Sequence, residues 1–323
     1  MSRFLIIGGA GFLGLHLTKK ILENKKNKVD LVDNFSRGKK DIFFKNISKN
    51  KRVRNYNLDF ASKIISKKFK KNYDYIFNLA AIVGVKNVLE NPLDVLIKNI
   101  IIQKNTIEIC TNQKKLKRFI FISTSEVYYA SLKKKLIRFP TPEDNIITID
   151  NHDNPRSTYM LSKIYCEAIT GLAKINYTII RPHNVYGPRM GMAHVIPELI
   201  SKIHKTNLKN MKILNGDYKR TFCFVDDAIN MILSLTYSKK ANKKIFNIGI
   251  QKPEIKIIEL AKFIAKLENK KIAFKSVLSK YESPIRRAPN TKKMYKFIKK
   301  IKTTTLIDGL KKTLSWYMEN QIK

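Results

Sequence analysis

The sequence predicts an α/β protein built on a parallel sheet that helices cover on both faces. Short β-type runs alternate with longer helical patterns through the first half of the chain, which is typical of successive βαβ units. Runs without polar alternation, such as RFIFI at 118–122, indicate strands that are buried on both faces. A glycine-rich stretch, GGAGFLG at 8–14, lies where the first strand gives way to the first helix.

The individual elements follow from these patterns. In the first half we predict helices such as 12–24, 92–112 and 158–174, and strands at 3–8, 28–33, 52–58, 73–80, 118–123 and 177–182. The second half breaks this rhythm, with predicted strands at 212–216, 244–249 and 271–275, a helix after 225–227, and helices near 255–268 and 304–319. Neither an internal repeat nor a linker separates the halves, so we expect them to pack together.

The composition disfavours several classes of protein, but it says little about the function of this one. The 323 residues carry 64 Lys+Arg against 25 Asp+Glu, a formal net charge of +39. These basic residues are spread along the whole chain rather than gathered in one stripe, which disfavours a nucleic-acid partner. The three cysteines form no CxxC pair, so we expect neither a disulfide framework nor a metal site. No apolar run is long enough for a membrane span or a signal peptide, and we expect a cytoplasmic protein.

The glycine-rich turn has the spacing of a dinucleotide site. Gly9, Gly11 and Gly14 satisfy G-x-G-x-x-G between a strand and a helix, where backbone N–H groups can reach a pyrophosphate. Asp33 ends the second strand, where a carboxylate accepts hydrogen bonds from a ribose 2′-hydroxyl and repels a 2′-phosphate. The turn therefore predicts a Rossmann-type fold and NAD rather than NADP, although the nearby Arg37 weakens that preference.

A tyrosine and a lysine stand four residues apart in STYMLSK at 157–163, and hence on one face of a helix. The ammonium of Lys163 beside the phenol is expected to lower the pKa of Tyr159, so that the phenolate can take a proton from a substrate hydroxyl. A further hydroxyl from the strand end at 123–125 would hold the substrate oxygen.

These motifs together resemble one enzyme family over essentially the whole chain. With VDNFSRG, NLAA, STSEVY, RPHNVYGPR, RTFCFVDDA and SPIRRAP, the sequence is similar to the extended short-chain dehydrogenase/reductases that modify nucleotide sugars with NAD. The resemblance implies a dinucleotide-binding Rossmann domain at 1–180 with a return segment at 222–250. A smaller C-terminal α/β substrate-binding domain for the nucleotide sugar would comprise 181–221 and 251–323.

The resemblance also implies roles for individual residues. The catalytic groups would be Thr124, Glu126, Tyr159, Lys163 and Arg287. NAD would contact Gly8, Gly11, Phe12, Leu13, Gly14, Asp33, Asn34, Ser36, Asp59, Phe60, Leu79, Ala80, Ala81, Asn99, Tyr159, Lys163, Arg181 and His183. The substrate would contact Thr124, Ser125, Glu126, Asn184, Arg189, Val195, Arg220, Arg286 and Arg287, with the choice between the last two left open. No metal is implied, and His194 and His204 are interpreted as incidental.

The triplet Thr124-Ser125-Glu126 bears on the reaction. Family members first oxidise C4 of the sugar, and the 4,6-dehydratases of thymidine-linked glucose carry Asp where this chain has Ser125. Thr-Ser-Glu followed by a C-terminal arginine resembles the UDP-glucuronate decarboxylases. GDP-mannose 4,6-dehydratases share the triplet but favour NADP, which Asp33 fits less well.

We therefore expect an NAD-dependent enzyme acting on a nucleotide sugar, with a UDP-sugar favoured, and most like a UDP-glucuronate decarboxylase. The alternatives are a UDP-sugar 4-epimerase and then a 4,6-dehydratase; outside this class stands a non-catalytic NAD- or RNA-binding protein. The loop after EVY differs from the family pattern, because Tyr129 replaces the usual glycine. The resemblance further implies a homodimer that pairs through the helices at 92–112 and 158–174.

Overall fold

The strands form one large sheet and several small ones. A computed structural model describes residues 1–62, 68–69, 72–149, 151, 154–155, 157–279 and 283–322. Its strands are β1 (Arg3–Ile7), β2 (Lys28–Asp33), β3 (Val53–Asn57), β4 (Tyr75–Asn78), β5 (Arg118–Ile122), β6 (Tyr177–Pro182), β7 (Val185–Tyr186), β8 (Asn210–Leu214), β9 (Lys219–Arg220), β10 (Cys223–Phe224), β11 (Lys244–Ile248), β12 (Ile255–Lys256), β13 (Ala273–Val277) and β14 (Arg286–Arg287).

The large sheet has seven strands in the order β11-β6-β5-β4-β1-β2-β3, all parallel. The chain moves outward from β1 through β2 to β3 and then crosses back to β4 on the other side of β1. In doubly wound sheets a ligand crevice forms where the order reverses, outside the carboxyl ends of these strands. The predicted fold class is confirmed.

Helices cover the sheet on both faces. They are α1 (Phe12–Leu22), α2 (Ile42–Ser48), α3 (Val85–Glu90), α4 (Pro92–Thr111), α5 (Tyr129–Lys133), α6 (Ser157–Leu172), α7 (Val195–Lys205), α8 (Val225–Tyr237), α9 (Ile257–Leu267) and α10 (Leu306–Asn320). Helices α1 and α8 pack together, and α4 packs along α6. No helix in the described part of the chain combines the length and the hydrophobicity that a membrane span requires.

The core explains why the strands lack polar alternation. Phe4 and Ile6 of β1 belong to the hydrophobic cluster on one face of the sheet, whereas Leu5 and Ile7 belong to the cluster on the other. Successive side chains of a strand point to opposite faces, so a strand covered on both faces is apolar throughout. The three cysteines are free and buried, as their spacing predicted.

The predicted boundaries differ from the structure mainly in the second half. The strand predicted at 212–216 begins earlier and ends at Leu214, because Asn215 adopts a positive φ of 50° and turns the chain. The strand predicted at 271–275 lies at β13, where it pairs with β8. Helix α2 is an element that the analysis did not assign; the Asp41 side chain caps it by accepting from the Phe44 N–H.

The later part of the chain forms small sheets beside the large one. Strand β9 lies between β12 and β14, β7 pairs with β10, and β8 pairs with β13. Strand β11 instead returns to the large sheet, where it extends the edge beside β6. These small sheets bring the segment that carries Arg287 toward the carboxyl ends of the large-sheet strands.

Candidate active site

A cleft of about 910 Å³ opens at the carboxyl ends of the large-sheet strands. It is lined by most of the residues that the sequence analysis named: Gly8, Gly11, Phe12, Leu13, Gly14, Asp33, Asn34, Ser36, Asp59, Phe60, Leu79, Ala80, Ala81, Thr124, Ser125, Glu126, Tyr159, Lys163, Asn184, Arg189, Val195 and Arg287. Five named residues do not line this cleft: Asn99, Arg181, His183, Arg220 and Arg286.

The glycine turn is shaped for close approach of a ligand. Gly8 has a φ of +78°, and a Cβ at this position would lie 2.6 Å from the backbone nitrogen of Ala80. A Cβ on Gly14 would lie 2.6 Å from the carbonyl oxygen of Gly8, so any side chain would force the helix away from the turn. Helix α1 starts at Phe12 without a side-chain cap, which leaves the first N–H groups of the helix without intrahelical acceptors. This cradle fits the pyrophosphate of a dinucleotide.

Asp33 is held at the end of β2 by two backbone donors. Its Oδ2 accepts from the Ala10 N–H at 2.9 Å and its Oδ1 from the Phe35 N–H at 2.8 Å. Burial raises the pKa of Asp33 above its ordinary value, while these two donors oppose that shift. The carboxylate is therefore oriented in the cleft, where it fits a ribose hydroxyl.

Three of the predicted catalytic residues, the trio of Thr124, Tyr159 and Lys163, meet where β5 and α6 approach each other. The hydroxyl groups of Thr124 and Tyr159 are hydrogen-bonded to each other. The Nζ of Lys163 donates to the carbonyl oxygen of Ile122 at 2.8 Å and lies 6.0 Å from the centre of the Tyr159 ring. Both residues of α6 thus face the end of the strand that carries the threonine, as their spacing predicted.

The prediction that the Lys163 ammonium lowers the pKa of Tyr159 is wrong for the protein chain by itself. Burial, followed by the charge of Glu126, raises the pKa of Tyr159, and only the Thr124 hydroxyl and the more distant Arg37 oppose this. Lys163 contributes little because its ammonium is committed to the strand carbonyl, and burial lowers its own pKa to about 8. The phenol consequently needs further positive charge near it before it can act as a base at neutral pH.

Glu126 forms an ion pair across the cleft. Its Oε1 lies 2.6 Å from Nη1 of Arg287, whose side chain is 12% exposed against 38% for the glutamate. The Nε of Arg287 is buried, and the described residues offer it no acceptor. Among the described residues, one N–H of the arginine is thus left without an acceptor, beside a carboxylate that balances the charge of the guanidinium.

The two neighbouring arginines of β14 point in opposite directions. Arg287 faces the cleft, whereas Arg286 pairs with Glu254 through two contacts of 2.6 Å and lies over the Phe139 ring. Consecutive side chains of a strand point to opposite sides, so the two arginines cannot both face the cleft. The structure therefore places Arg287 at the site and Arg286 outside the cleft.

Arg220 supports the site rather than lining it. Its guanidinium donates to the carbonyl oxygens of Lys219, Ile285 and Pro284 and to the Ser283 hydroxyl. Burial and the charge of Arg287 lower the pKa of Arg220 to about 9. These bonds hold the segment that leads into β14, so the substrate contact expected of Arg220 is replaced by a contact with the protein itself.

Arg181 and His183 lie beneath the cleft in a buried polar network. Arg181 binds both carboxylate oxygens of Glu167 and donates to the Tyr128 hydroxyl. His183 lies 3.1 Å from the Oδ1 of Asn247, and burial lowers its pKa to about 3, so its ring is neutral. Both residues were expected to contact the cofactor, but their polar groups are used or enclosed within the protein.

Asn99 and Arg189 also bind the backbone of loops. Asn99 accepts from the Ile82 N–H at 2.7 Å and thereby fixes a residue that lines the cleft. Arg189 lines the cleft, but its three nitrogens donate to Asp41 and to the carbonyl oxygens of Ala10 and Lys39. It joins the loop after β7 to the loop after β2, which differs from the substrate contact that we expected.

Several lining residues were missed by the sequence analysis. His194 was interpreted as incidental but lies in the cleft, as do the preceding residues 190–192. The residues Ile82, Val83, Asn87, Lys98 and Phe222 also contribute to its wall. For residues 190–192, Ile82 and Val83 the available signal was their position close after recognised motifs, and Phe222 lies within one. Among the described residues, no group of His, Cys, Asp and Glu could hold a metal ion.

Comparison with known proteins shows the family to which the chain belongs. The family model described as "NAD dependent epimerase/dehydratase family" matches residues 4–249. UDP-N-acetyl-alpha-D-glucosaminuronate decarboxylase of Bacillus cytotoxicus is 30% identical over 98% of both chains. UDP-glucuronic acid decarboxylase 5 of Arabidopsis thaliana is 28% identical, covering 90% of this chain and 82% of the relative.

Among solved structures, UDP-glucuronic acid 4-epimerase from Bacillus cereus has the same fold, with a TM-score of 0.81 at 24% identity, covering 98% of this chain and 99% of that one. The chain belongs to the NAD-dependent epimerase/dehydratase family, and it is an NAD-dependent enzyme that modifies a nucleotide sugar.

Proposed function

We propose that the enzyme decarboxylates a UDP-linked uronic acid after oxidising its C4 hydroxyl. The observation that carries the proposal is the Glu126–Arg287 ion pair beside Thr124 and Tyr159. Two curated relatives named as decarboxylases of UDP-linked uronic acids support it.

The residues of the cleft suit the first step. Thr124 would hold the C4 oxygen, and the Tyr159 oxygen would accept its proton as the hydride leaves C4. When bound, NAD supplies the acceptor for this hydride and later returns it. Lys163, Asp33 and the glycine turn would hold NAD, because they line the same cleft as Thr124 and Tyr159.

The ion pair suits the second step. A ketone at C4 is β to the C6 carboxylate, so CO₂ can leave as the bonding electrons pass to the ketone and form an enolate. The Arg287 guanidinium would stabilise the developing negative charge, because Arg287 lines the cleft together with Thr124 and Tyr159. Glu126 would hold the guanidinium in place through the 2.6 Å contact. The enolate then takes a proton at C5, and the C4 ketone is reduced again.

The test is a product assay with UDP-glucuronate and UDP-N-acetylglucosaminuronate. We expect CO₂ and a UDP-pentose or its 4-keto precursor from at least one of them. Interconversion of C4 epimers without CO₂ would identify a 4-epimerase instead, and a 4-keto-6-deoxy product from a neutral UDP-, GDP- or dTDP-hexose would identify a dehydratase.

Replacing Arg287 by alanine is expected to lower the rate of CO₂ release by about 100-fold, because one preorganised donor is lost from the charge that develops. Oxidation of C4 should persist, so single-turnover absorbance should still show NADH. The matched control is Arg286→Ala, which removes the same charge outside the cleft and should keep near-normal CO₂ release. Equal losses in both variants would contradict the assigned role of Arg287.

We also propose that two copies of the chain pair through α4 and α6. Leu93 and Ile97 on α4 are 66% and 46% exposed, and Tyr165 and Leu172 on α6 are 60% and 85% exposed. Leu93 and Ile97 are four residues apart and Tyr165 and Leu172 are seven apart, so the members of each pair lie on the same side of their helix. The two packed helices can therefore present a shared apolar face. A second copy of the same face is its natural partner, since helices that are already packed side by side can close a four-helix bundle.

The double variant Ile97→Glu/Tyr165→Glu is expected to be a monomer in analytical ultracentrifugation, because burying two carboxylates at an apolar interface is unfavourable. The parent protein should sediment as a dimer at the same concentration. Leu278→Glu serves as the control, since Leu278 is 82% exposed away from both helices. A parent protein that is itself monomeric would refute this pairing.

A further inference from the structure

Arg37 reaches over the cleft without an assigned partner. It lies in the loop after β2 and lines the cleft together with Gly191 and His194 of the loop after β7. A Cβ at Gly191 would lie 3.7 Å from the Nη2 of Arg37, an ordinary contact distance, so the guanidinium reaches the backbone at Gly191. The side chain thus bridges two loops on different parts of the cleft.

The loop that carries Arg37 is anchored on both sides of it. Before it, the Asp33 carboxylate accepts from the Phe35 N–H at 2.8 Å. After it, Asp41 accepts from the Nε of Arg189 at 2.6 Å. These bonds place the base of the Arg37 side chain at the mouth of the cleft.

The charge of Arg37 is uncompensated within the described residues. No hydrogen bond or ion pair joins its guanidinium to another group in the described part of the chain, and the two nearest acids on its loop are engaged by other donors. The groups that its charge faces are the Tyr159 phenol and the His194 ring, neither of which is an anion at neutral pH. Partial burial lowers the pKa of Arg37, while the rest of the side chain is open to solvent. Such a cation favours an anionic ligand.

We propose that Arg37 binds a diphosphate in the cleft, closing the mouth over it from the loop after β2. A guanidinium offers two parallel donors to phosphate oxygens, a geometry that lysine cannot supply. The diphosphate belongs either to the dinucleotide or to the nucleotide sugar, since both must lie in this cleft. The alternative, the 2′-phosphate of NADP, fits less well because Asp33 occupies the ribose end of the same loop and would repel it. The proposal concerns ligand binding and stands whether or not the sugar is decarboxylated.

The experiment measures the affinity of Arg37→Ala and Arg37→Lys for NAD, NADP and UDP by calorimetry, after bound nucleotide has been removed. Arg54→Ala is the matched control, because Arg54 is an exposed arginine on β3 that does not line the cleft. We expect Arg37→Ala to bind one diphosphate ligand about 10- to 100-fold more weakly. Arg37→Lys should recover only part of this affinity, and the difference should shrink at high salt.

Comparing the NAD titration with the UDP titration identifies the ligand whose diphosphate Arg37 binds. Weaker NAD binding with unchanged UDP binding assigns Arg37 to the cofactor, and the reverse assigns it to the nucleotide sugar. Unchanged affinity for both, or a loss confined to NADP, would overturn the proposal. A loss of affinity in Arg54→Ala equal to that in Arg37→Ala would also overturn it, because the effect would then reflect general charge.

Discussion

Replacing Tyr159 by phenylalanine is expected to lower turnover by roughly 10²- to 10⁴-fold, the usual contribution of a positioned acid–base group. The substitution removes only the oxygen that is hydrogen-bonded to Thr124 and keeps the ring under the Lys163 ammonium. Steady-state product formation measures the loss, and calorimetric titration with NAD should show unchanged affinity.

The control for this variant lies on the same helix. Tyr165→Phe removes an equivalent hydroxyl from a side chain that is 60% exposed and does not line the cleft, so its turnover should stay within about twofold of the parent. If Tyr159→Phe keeps most of its turnover, the proton from the substrate must pass to another group, and the proposed role of the phenol is refuted.

Replacing Glu167 by glutamine is expected to lower the free energy of unfolding by about 3–5 kcal/mol, because it leaves the buried Arg181 without its counter-charge. The two side chains are 8% and 2% exposed and share contacts of 2.8 and 2.6 Å. Glu167 also accepts from the Ser123 hydroxyl at 2.6 Å, next to Thr124. The pair therefore supports the strand end that leads into Thr124.

Urea denaturation measures this loss. Glu198→Gln is the matched control, because Glu198 pairs with Lys202 at 2.5 Å on the surface, with side chains 49% and 54% exposed. An exposed pair of this kind contributes at most about 1 kcal/mol. The double variant Glu167→Gln/Arg181→Met should be more stable than Glu167→Gln alone, since no charge is then left unpaired. Equal stabilities of Glu167→Gln and Glu198→Gln would contradict this account.

Much of the cofactor end of the site was predictable from local patterns. A glycine-rich turn between a strand and a helix has one geometry, because the Cβ positions at Gly8 and Gly14 are closed by backbone atoms. Asp33 is the last residue of the second strand, so its place at the carboxyl edge of a parallel sheet is set by the strand itself. The spacing of Tyr159 and Lys163 likewise determined that both would face the same side of α6.

The arginines show where local patterns fail. Arg181, Arg189 and Arg220 all lie in or near recognised motifs and were expected to bind ligands, yet their donors are taken by protein groups. Some of these partners come from distant segments; the Asp41 that binds Arg189, for example, is 148 residues away in sequence. A motif indicates that a guanidinium is needed at a position, but it does not indicate which acceptor satisfies it.

By itself, the sequence determined the parallel sheet, the dinucleotide turn and the face of the helix that carries Tyr159 and Lys163. These features depend on neighbours within a few residues, where chain geometry leaves little choice. Only the tertiary structure decided that Arg287 rather than Arg286 enters the cleft, that Glu126 pairs with it across 161 residues of sequence, and that burial raises the pKa of Tyr159. The physical reason is that burial and charge pairing are set by the groups that the fold brings together, which no short stretch of sequence contains.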